Sequence, residues 1–236
     1  MRVALTLAYN GTSFLGSQTQ SETSNTVLGK LESVLSLLGI SSRAIASGRT
    51  DKGVHATGQV CHIDLPAFWS DIQKLRDVLN QKLPKTIRVT KINAVDPAFH
   101  ARYSAKKRVY RYIIKQAESN PFEEDFITFD KNIDFENVAK NIKLFVGEHD
   151  FAGFMKTGSD VGSTIRVIYK AFVYRHKGYI ILNFEANGFL RSQIRLMVGA
   201  LLKLNAREIE EQLMCKEKHK FKPAPANGLY LARIKY

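Results

Sequence analysis

Residues 2–9 alternate. Val3, Leu5, Leu7 and Tyr9 fall on one face, with Arg2, Ala4, Thr6 and Ala8 on the other, which is the period-two pattern of a strand with one buried face. Asn10-Gly11 ends it with a turn signal, and residues 13–24 are polar and irregular. From Thr26 the period changes. Val27, Leu28, Leu31, Val34, Leu35 and Leu38 line one face of a helix, with Ser24 or Asn25 available to cap its start and Gly39 to close it. Strands are expected at 43–47 and 58–65, the second ended by Pro66. A helix over about 69–82 places Ile72, Leu75 and Leu79 inward and stops at Leu83-Pro84, and a strand follows at 86–94. The order to this point is β-α-β-β-α-β.

Asp96-Pro97 breaks the chain, and residues 99–104 read as an extended crossing segment. A strand is expected over 106–115 and a helix over 134–146, where Val138, Ile142 and Phe145 are followed by Gly147. A long hairpin over about 164–175 and 179–185 turns through Lys177-Gly178. A helix over about 188–204, a short one near 207–214 and a last strand at 229–235 complete the pattern. The second half therefore has the same element order as the first, without obvious repetition of sequence. The fold class is α+β. Each half, 1–100 and 101–236, is compatible with a ferredoxin-like unit, an antiparallel sheet covered by helices on one face. Side by side, two such units can form one extended, mostly antiparallel sheet.

Charge changes the picture more than composition does. The 236 residues carry 35 Lys+Arg against 22 Asp+Glu, a net +13. That excess favours polyanionic partners, nucleic acid first and an anionic membrane second. The cations cluster: Lys106, Lys107, Arg108 and Arg111 around one strand start, then Arg191, Arg195, Lys203 and Arg207, then Lys216, Lys218, Lys220 and Lys222. Together they outline a track for a phosphate backbone. Tyr103, Tyr110, Tyr112 and Phe189 lie among them, as stacking on an exposed base requires. Tyr112 shares the parity of Ile114 and is the better core residue; Tyr110 shares it too, so spacing does not separate them. No apolar run approaches the ~20 residues that span a bilayer, and the first residues enter a strand pattern with no leader signature. Two cysteines, Cys61 and Cys215, fit a reducing cytoplasm rather than a disulfide framework.

The stretch of densest chemistry is Ser47-Gly48-Arg49-Thr50-Asp51-Lys52-Gly53-Val54-His55-Ala56, between two strands. Its bland reading is a tight connection, since glycine and Asx chemistry are ordinary in turns. Metal spacings, dinucleotide fingerprints and phosphate loops do not occur in the sequence. Asp51 remains the best candidate for chemistry. Cations on both sides favour its ionised form, which can serve as base or nucleophile.

These residues resemble the active-site motif of the tRNA pseudouridine synthase A family. Further blocks match in order: Tyr9-Asn10-Gly11-Thr12; Phe99-His100-Ala101-Arg102-Tyr103-Ser104-Ala105 with Tyr110-Arg111-Tyr112; Asn187-Gly188-Phe189-Leu190 through Arg195, then Met197-Val198-Gly199; and Gly228-Leu229-Tyr230-Leu231. The resemblance implies conversion of uridine to pseudouridine at nucleotides 38, 39 and 40 of the tRNA anticodon stem-loop. It makes Asp51 the catalytic carboxylate, Tyr110 the tyrosine stacked on the target base, Arg195 the partner of the aspartate and Arg49 an arginine linked to flipping the nucleotide. It implies no cofactor and no metal, and a cytoplasmic homodimer that binds tRNA across both subunits. The first half would then carry the aspartate loop and the second the tyrosine and basic helix. Two departures stand out: Gly16-Ser17-Gln18 replaces the usual Gly-Trp-Gln, and Thr26-Val27-Leu28 opens the first helix where a Gln is frequent. They are expected to alter tRNA contacts or packing near the N-terminus without touching Asp51, Tyr110 or Arg195. The alternative from another class is a non-catalytic tRNA- or RNA-binding protein on the same scaffold, which would need no carboxylate in the loop. A lipid-surface binder would need an exposed basic amphipathic helix, and the 188–204 pattern is too apolar all round.

Overall fold

The computed structural model describes residues 1–158 and 161–236. The chain divides into two compact units, residues 1–106 with 230–236, and residues 107–229. The strands within each are mostly antiparallel, and the α+β class expected from the sequence holds.

In the first unit, β1 (Arg2–Tyr9) lies between β3 (His55–Asp64) and β4 (Ile87–Ala94), antiparallel to both. Val3, Leu5, Leu7 and Tyr9 are the buried set, as their alternation requires. The short β2 (Ile45–Ala46) pairs with the Cys61–His62 end of β3. Helix α1 (Val27–Leu37) buries Val27, Leu28, Leu31, Val34 and Leu35. Its cap is Thr26, not Ser24 or Asn25: the Thr26 Oγ1 accepts from the Gly29 N–H at 3.0 Å, a contact worth ~1 kcal/mol. Gly39, at φ +73°, closes it as expected. Helix α2 (Ile72–Lys82) starts three residues later than expected because Asp71 accepts from the Lys74 N–H and so sets the start.

Residues 99–104 are a turn rather than an extended segment. The His100 Nδ1 accepts from the N–H groups of Arg102 and Tyr103, and the Ser104 N–H returns to the His100 carbonyl at 2.9 Å. The final strand, β10 (Leu229–Lys235), is read from sequence as part of the second half. In the structure residues 230–236 cluster with the first unit, because Tyr230 and Leu231 pair in parallel with His55 and Ala56 of β3.

In the second unit, β5 (Lys107–Lys115), β9 (Tyr179–Ala186), β8 (Ile165–His176) and β7 (Gly147–Asp150) follow one another as antiparallel neighbours. A two-residue β6 (Thr128–Phe129) adds in parallel to β5. Neither β6 nor β7 was legible as a strand. Helix α3 (Phe135–Asn141) tightens to a 3₁₀ turn over Ile142–Phe145, which keeps Val138, Ile142 and Phe145 buried. Helix α4 (Gln193–Lys203) starts five residues after the expected point. Asn187 instead extends the strand region, exchanging hydrogen bonds with Val167, and Ser192 turns the chain at φ +59°. A capping box of Asn205 and Glu208 opens α5 (Ala206–Leu213).

One ionic cluster of this unit gives a pH prediction. Glu123 accepts from Lys115 Nζ (2.5 Å), Tyr179 Oη (2.5 Å) and Asn120 Nδ2 (2.7 Å). These donors, Lys115 foremost, hold its carboxyl down at about 2. A carboxyl depressed on folding stabilises the native state above its unfolded pKa and loses that effect as pH falls through the folded one. Glu123→Gln is therefore expected to lower the melting temperature at neutral pH. The gap to the wild type should narrow between about pH 4.5 and about pH 2, as followed by thermal melts over that range.

Candidate active site

The aspartate loop hangs between β2 and β3. The Val54 N–H donates to the Asp51 carbonyl at 3.1 Å, closing a four-residue turn. Its third residue, Gly53, has φ +80°, the conformation that position demands of a type II turn. Gly48 has no such need: a Cβ there would meet open space. Asp51 is half-buried, with Arg49 and Lys52 exposed on either side. Arg49 and Asp51 are thus brought onto one short loop.

The loop is tied down through its neighbours. The Thr50 N–H donates to Ser17 Oγ at 2.8 Å, and the Thr50 carbonyl accepts from the Ser17 N–H at 3.1 Å. The Thr50 hydroxyl meets the Tyr9 hydroxyl at 2.9 Å. Gln59 takes the Ser47 hydroxyl on its Oε1 at 2.7 Å and donates from Nε2 to the Gly48 carbonyl at 2.8 Å. Tyr9, Ser17, Ser47, Thr50 and Gln59 are all buried. Burial, the largest influence, pushes the Tyr9 phenol up to about 12, so it stays neutral. On the far side of the turn, the Gly11 N–H donates to His55 Nδ1 at 3.0 Å, which places that ring's proton on Nε2. The His55 ring stacks on Tyr230 at 4.7 Å. Gly11 is required by close approach, because a Cβ would lie 2.0 Å from the Val54 carbonyl oxygen.

Sequence reasoning missed this buried polar group. Tyr9 was correctly placed on the inward face of β1, but Ser17 sits in an aperiodic stretch and gives no signal of burial. The departure at Gly16-Ser17 makes its hydrogen bonds to Thr50, the residue before Asp51.

In the second unit, Tyr110 on β5 is buried and packs edge-on against Phe189, with ring centroids 5.3 Å apart. Tyr112 is core, as its parity favours. Its hydroxyl engages Thr128 Oγ1 at 2.6 Å and donates to the Pro225 carbonyl at 2.8 Å, and burial raises its pKa. Arg195 on α4 is half-buried. Its Nε donates to the Ala224 carbonyl and its own carbonyl accepts from the Ala224 N–H, both at 2.8 Å. This two-way contact fixes the base of the guanidinium group. The cations differ in setting: Arg108 donates to the Asn187 carbonyl at 2.7 Å, and Arg207 pairs with Glu211 at 2.8 Å. Lys216, Lys218, Lys220 and Lys222 are exposed. In the first unit Tyr103 is 77% exposed, its ring tilted against that of His100 with centroids 4.3 Å apart.

Among the described residues, Glu211, Glu217 and His219 bring metal-ligand atoms within 4.8 Å of one another. Glu211 is already engaged by Arg207 and by His219 at 3.1 Å. Cys61 is buried, its thiol pushed up to about 12 by desolvation, and Cys215 is exposed; neither forms a disulfide. Among the described residues, no helix is long and apolar enough to cross a membrane.

A family model described as tRNA pseudouridine synthase matches residues 6–104 and 142–236. The chain belongs to the tRNA pseudouridine synthase family. It is an enzyme of the isomerase class that acts on uridine in tRNA. The tRNA pseudouridine synthase A of Wolinella succinogenes is 39% identical over 235 residues, covering 98% of this chain and 92% of that protein. Its counterpart in Campylobacter jejuni strain RM1221 is 37% identical over 241 residues, the full length of both. The Helicobacter hepaticus protein of that name is 38% identical over 98% of this chain and 97% of its own. Among solved structures, a chain of a Cbf5–Nop10–Gar1 complex overlays 85% of this chain and 45% of its own length, at a TM-score of 0.39 and 13% identity. Arg49, Asp51 and Arg195 fall inside the segments matched by the family model, and Tyr110 falls between them.

Proposed function

We propose that this tRNA pseudouridine synthase isomerises uridine at nucleotides 38, 39 and 40 of the anticodon stem-loop, with Asp51 as the catalytic carboxylate. The observation that supports this most is the setting of Asp51. It is an acid held half-buried on a turn whose neighbouring residue, Thr50, has every polar atom engaged. An acid needed only for solubility would require no such hold.

The reaction breaks the C1′–N1 bond, turns the base and joins C5 to C1′. C5 loses a proton and N1 gains one, so no atom or electron pair is supplied from outside. A pre-oriented carboxylate can attack C1′ or C6, or remove the proton from C2′. The target base must first leave its stack, which costs a few kcal/mol. Tyr110 is assigned the stacking role, Arg49 assistance in flipping and Arg195 orientation of the carboxylate. No cofactor or metal is called for. The working form is proposed to be a cytoplasmic homodimer with tRNA across both subunits.

Unmodified tRNAs carrying uridine at 38, 39 or 40 or elsewhere, incubated with purified enzyme and mapped chemically for pseudouridine, test the assignment. Product confined to those three nucleotides supports it, and product outside the anticodon arm refutes it. Tyr110→Ala, losing a stack of about 1–3 kcal/mol, is expected to lower kcat/KM by roughly 5- to 150-fold, read in the same assay.

A further inference from the structure

The polar group around Thr50 does more than satisfy buried atoms. Residue 17 takes both main-chain polar groups of Thr50, the N–H through its hydroxyl at 2.8 Å and the carbonyl through its own N–H at 3.1 Å. The same short segment is fixed on its other side to α1. The Gly16 carbonyl accepts from the Val27 N–H at 3.2 Å and the Ser17 carbonyl from the Leu28 N–H at 3.0 Å. These are first-turn donors, which a helix leaves without internal partners. Gly16 makes the approach possible. Its φ is +113°, and a Cβ would stand 3.0 Å from the Thr50 carbonyl oxygen. Ser17 is 1% exposed, so water does not substitute for its hydroxyl from the surface. An unbroken chain of contacts therefore runs from the helix start through Ser17 to Thr50, and Asp51 is the next residue.

We infer that Ser17 is a positioning residue for the isomerisation, fixing the main chain at Thr50, and through it the Asp51 carboxylate, to the start of α1. The inference rests on Asp51 being the carboxylate that reacts. Alanine at 17 would keep the main-chain bond from residue 17 to the Thr50 carbonyl and lose the acceptor for the Thr50 N–H. The loop would stay attached, but at one point instead of two, and free to swing. Displacements of ~1 Å in a reacting group cost on the order of 100-fold in rate. Buried polar groups of this kind hold geometry only when every member is satisfied. Tyr9 secures the third polar atom of Thr50 from β1, so Tyr9→Phe should act in the same direction.

The test is single-turnover pseudouridine formation on unmodified tRNA, well below each variant's melting temperature, with tRNA affinity measured alongside. Ser17→Ala is expected to slow the chemical step about 10- to 100-fold while leaving tRNA affinity within about threefold, and Tyr9→Phe to slow it less. Val89→Ala, in the core of β4, serves as a control for lowered stability and should react at the wild-type rate. Wild-type rates in Ser17→Ala and Tyr9→Phe, with Asp51→Asn inactive, would overturn the role of Ser17 and leave that of Asp51 standing. A wild-type rate in Asp51→Asn would overturn the reading of Asp51 itself. An equal slowing in Val89→Ala would reduce the effect to stability. Should Ser17→Ala fail to fold, Tyr9→Phe decides.

Discussion

Asp51→Asn is expected to fold, to melt close to the wild-type temperature and to form no measurable pseudouridine, a loss of at least about 10⁴-fold. The fold uses the main chain of Asp51, whose carbonyl closes the turn with the Val54 N–H. The anchoring of the loop runs through Thr50, Gly48 and Ser47, which the substitution leaves in place. Asparagine has nearly the same shape as aspartate, so the turn keeps its geometry. It has neither the negative charge nor the lone-pair basicity that attack on the ribose or base, or removal of a proton, requires. Calorimetry and circular dichroism with the mapping assay separate the two effects. Full activity in this variant would remove Asp51 from the chemistry, and a large fall in melting temperature would recast it as structural.

The second large effect is expected at Gly199. This glycine lies within α4, where a Cβ would stand 2.0 Å from the Lys222 carbonyl oxygen and 3.3 Å from the Ala224 N. Both are main-chain atoms that cannot rotate away, so either α4 or the 222–224 segment must move. Overpacking of this kind typically costs about 1–3 kcal/mol, and Gly199→Ala should fall at or above the top of that range. The gain in helix propensity, about 1 kcal/mol, offsets only part of it. The displaced segment also carries Ala224, which holds Arg195 by two hydrogen bonds. A lower melting temperature should therefore come with reduced turnover, even at temperatures where the variant is folded. Urea unfolding gives the first quantity and the single-turnover rate the second. A stable, fully active Gly199→Ala would show that the two elements separate without cost.

What the sequence made legible were the features whose cause is local. The period of β1 and the buried faces of α1 and α3 follow from side-chain spacing alone. So does the closure of α1 by Gly39. The elements that escaped depend on distant partners. Thr128 and Phe129 are a strand only because Ile114 and Lys115 pair with them, and Gly147–Asp150 only because residues 165–168 do. The turn at 99–104 exists because the His100 ring captures two N–H groups, a competition with the extended form that apolar spacing does not report. The candidate site divides in the same way. Asp51 stood out through its composition and its motif. The burial of Ser17 is set by Thr50, 33 residues away, and by the first turn of α1, so a serine in a polar run gave no sign of it.

The parallel pairing of Tyr230 and Leu231 with the start of β3 has a consequence for the order in which the molecule is made. His55 and Ala56 follow directly on the aspartate turn, yet the strand that pairs with them is translated only after residues 107–229. At usual elongation rates that interval is on the order of ten seconds. Throughout it, the emerging first unit has every residue of its aspartate turn and lacks both the Tyr230 ring against His55 and the backbone that approaches Gly58. The sheet beside the aspartate turn is thereby completed only once residues 230 and 231 are made, and a nascent chain stalled before residue 230 would hold an assembled Thr50 clamp on an unfinished sheet edge.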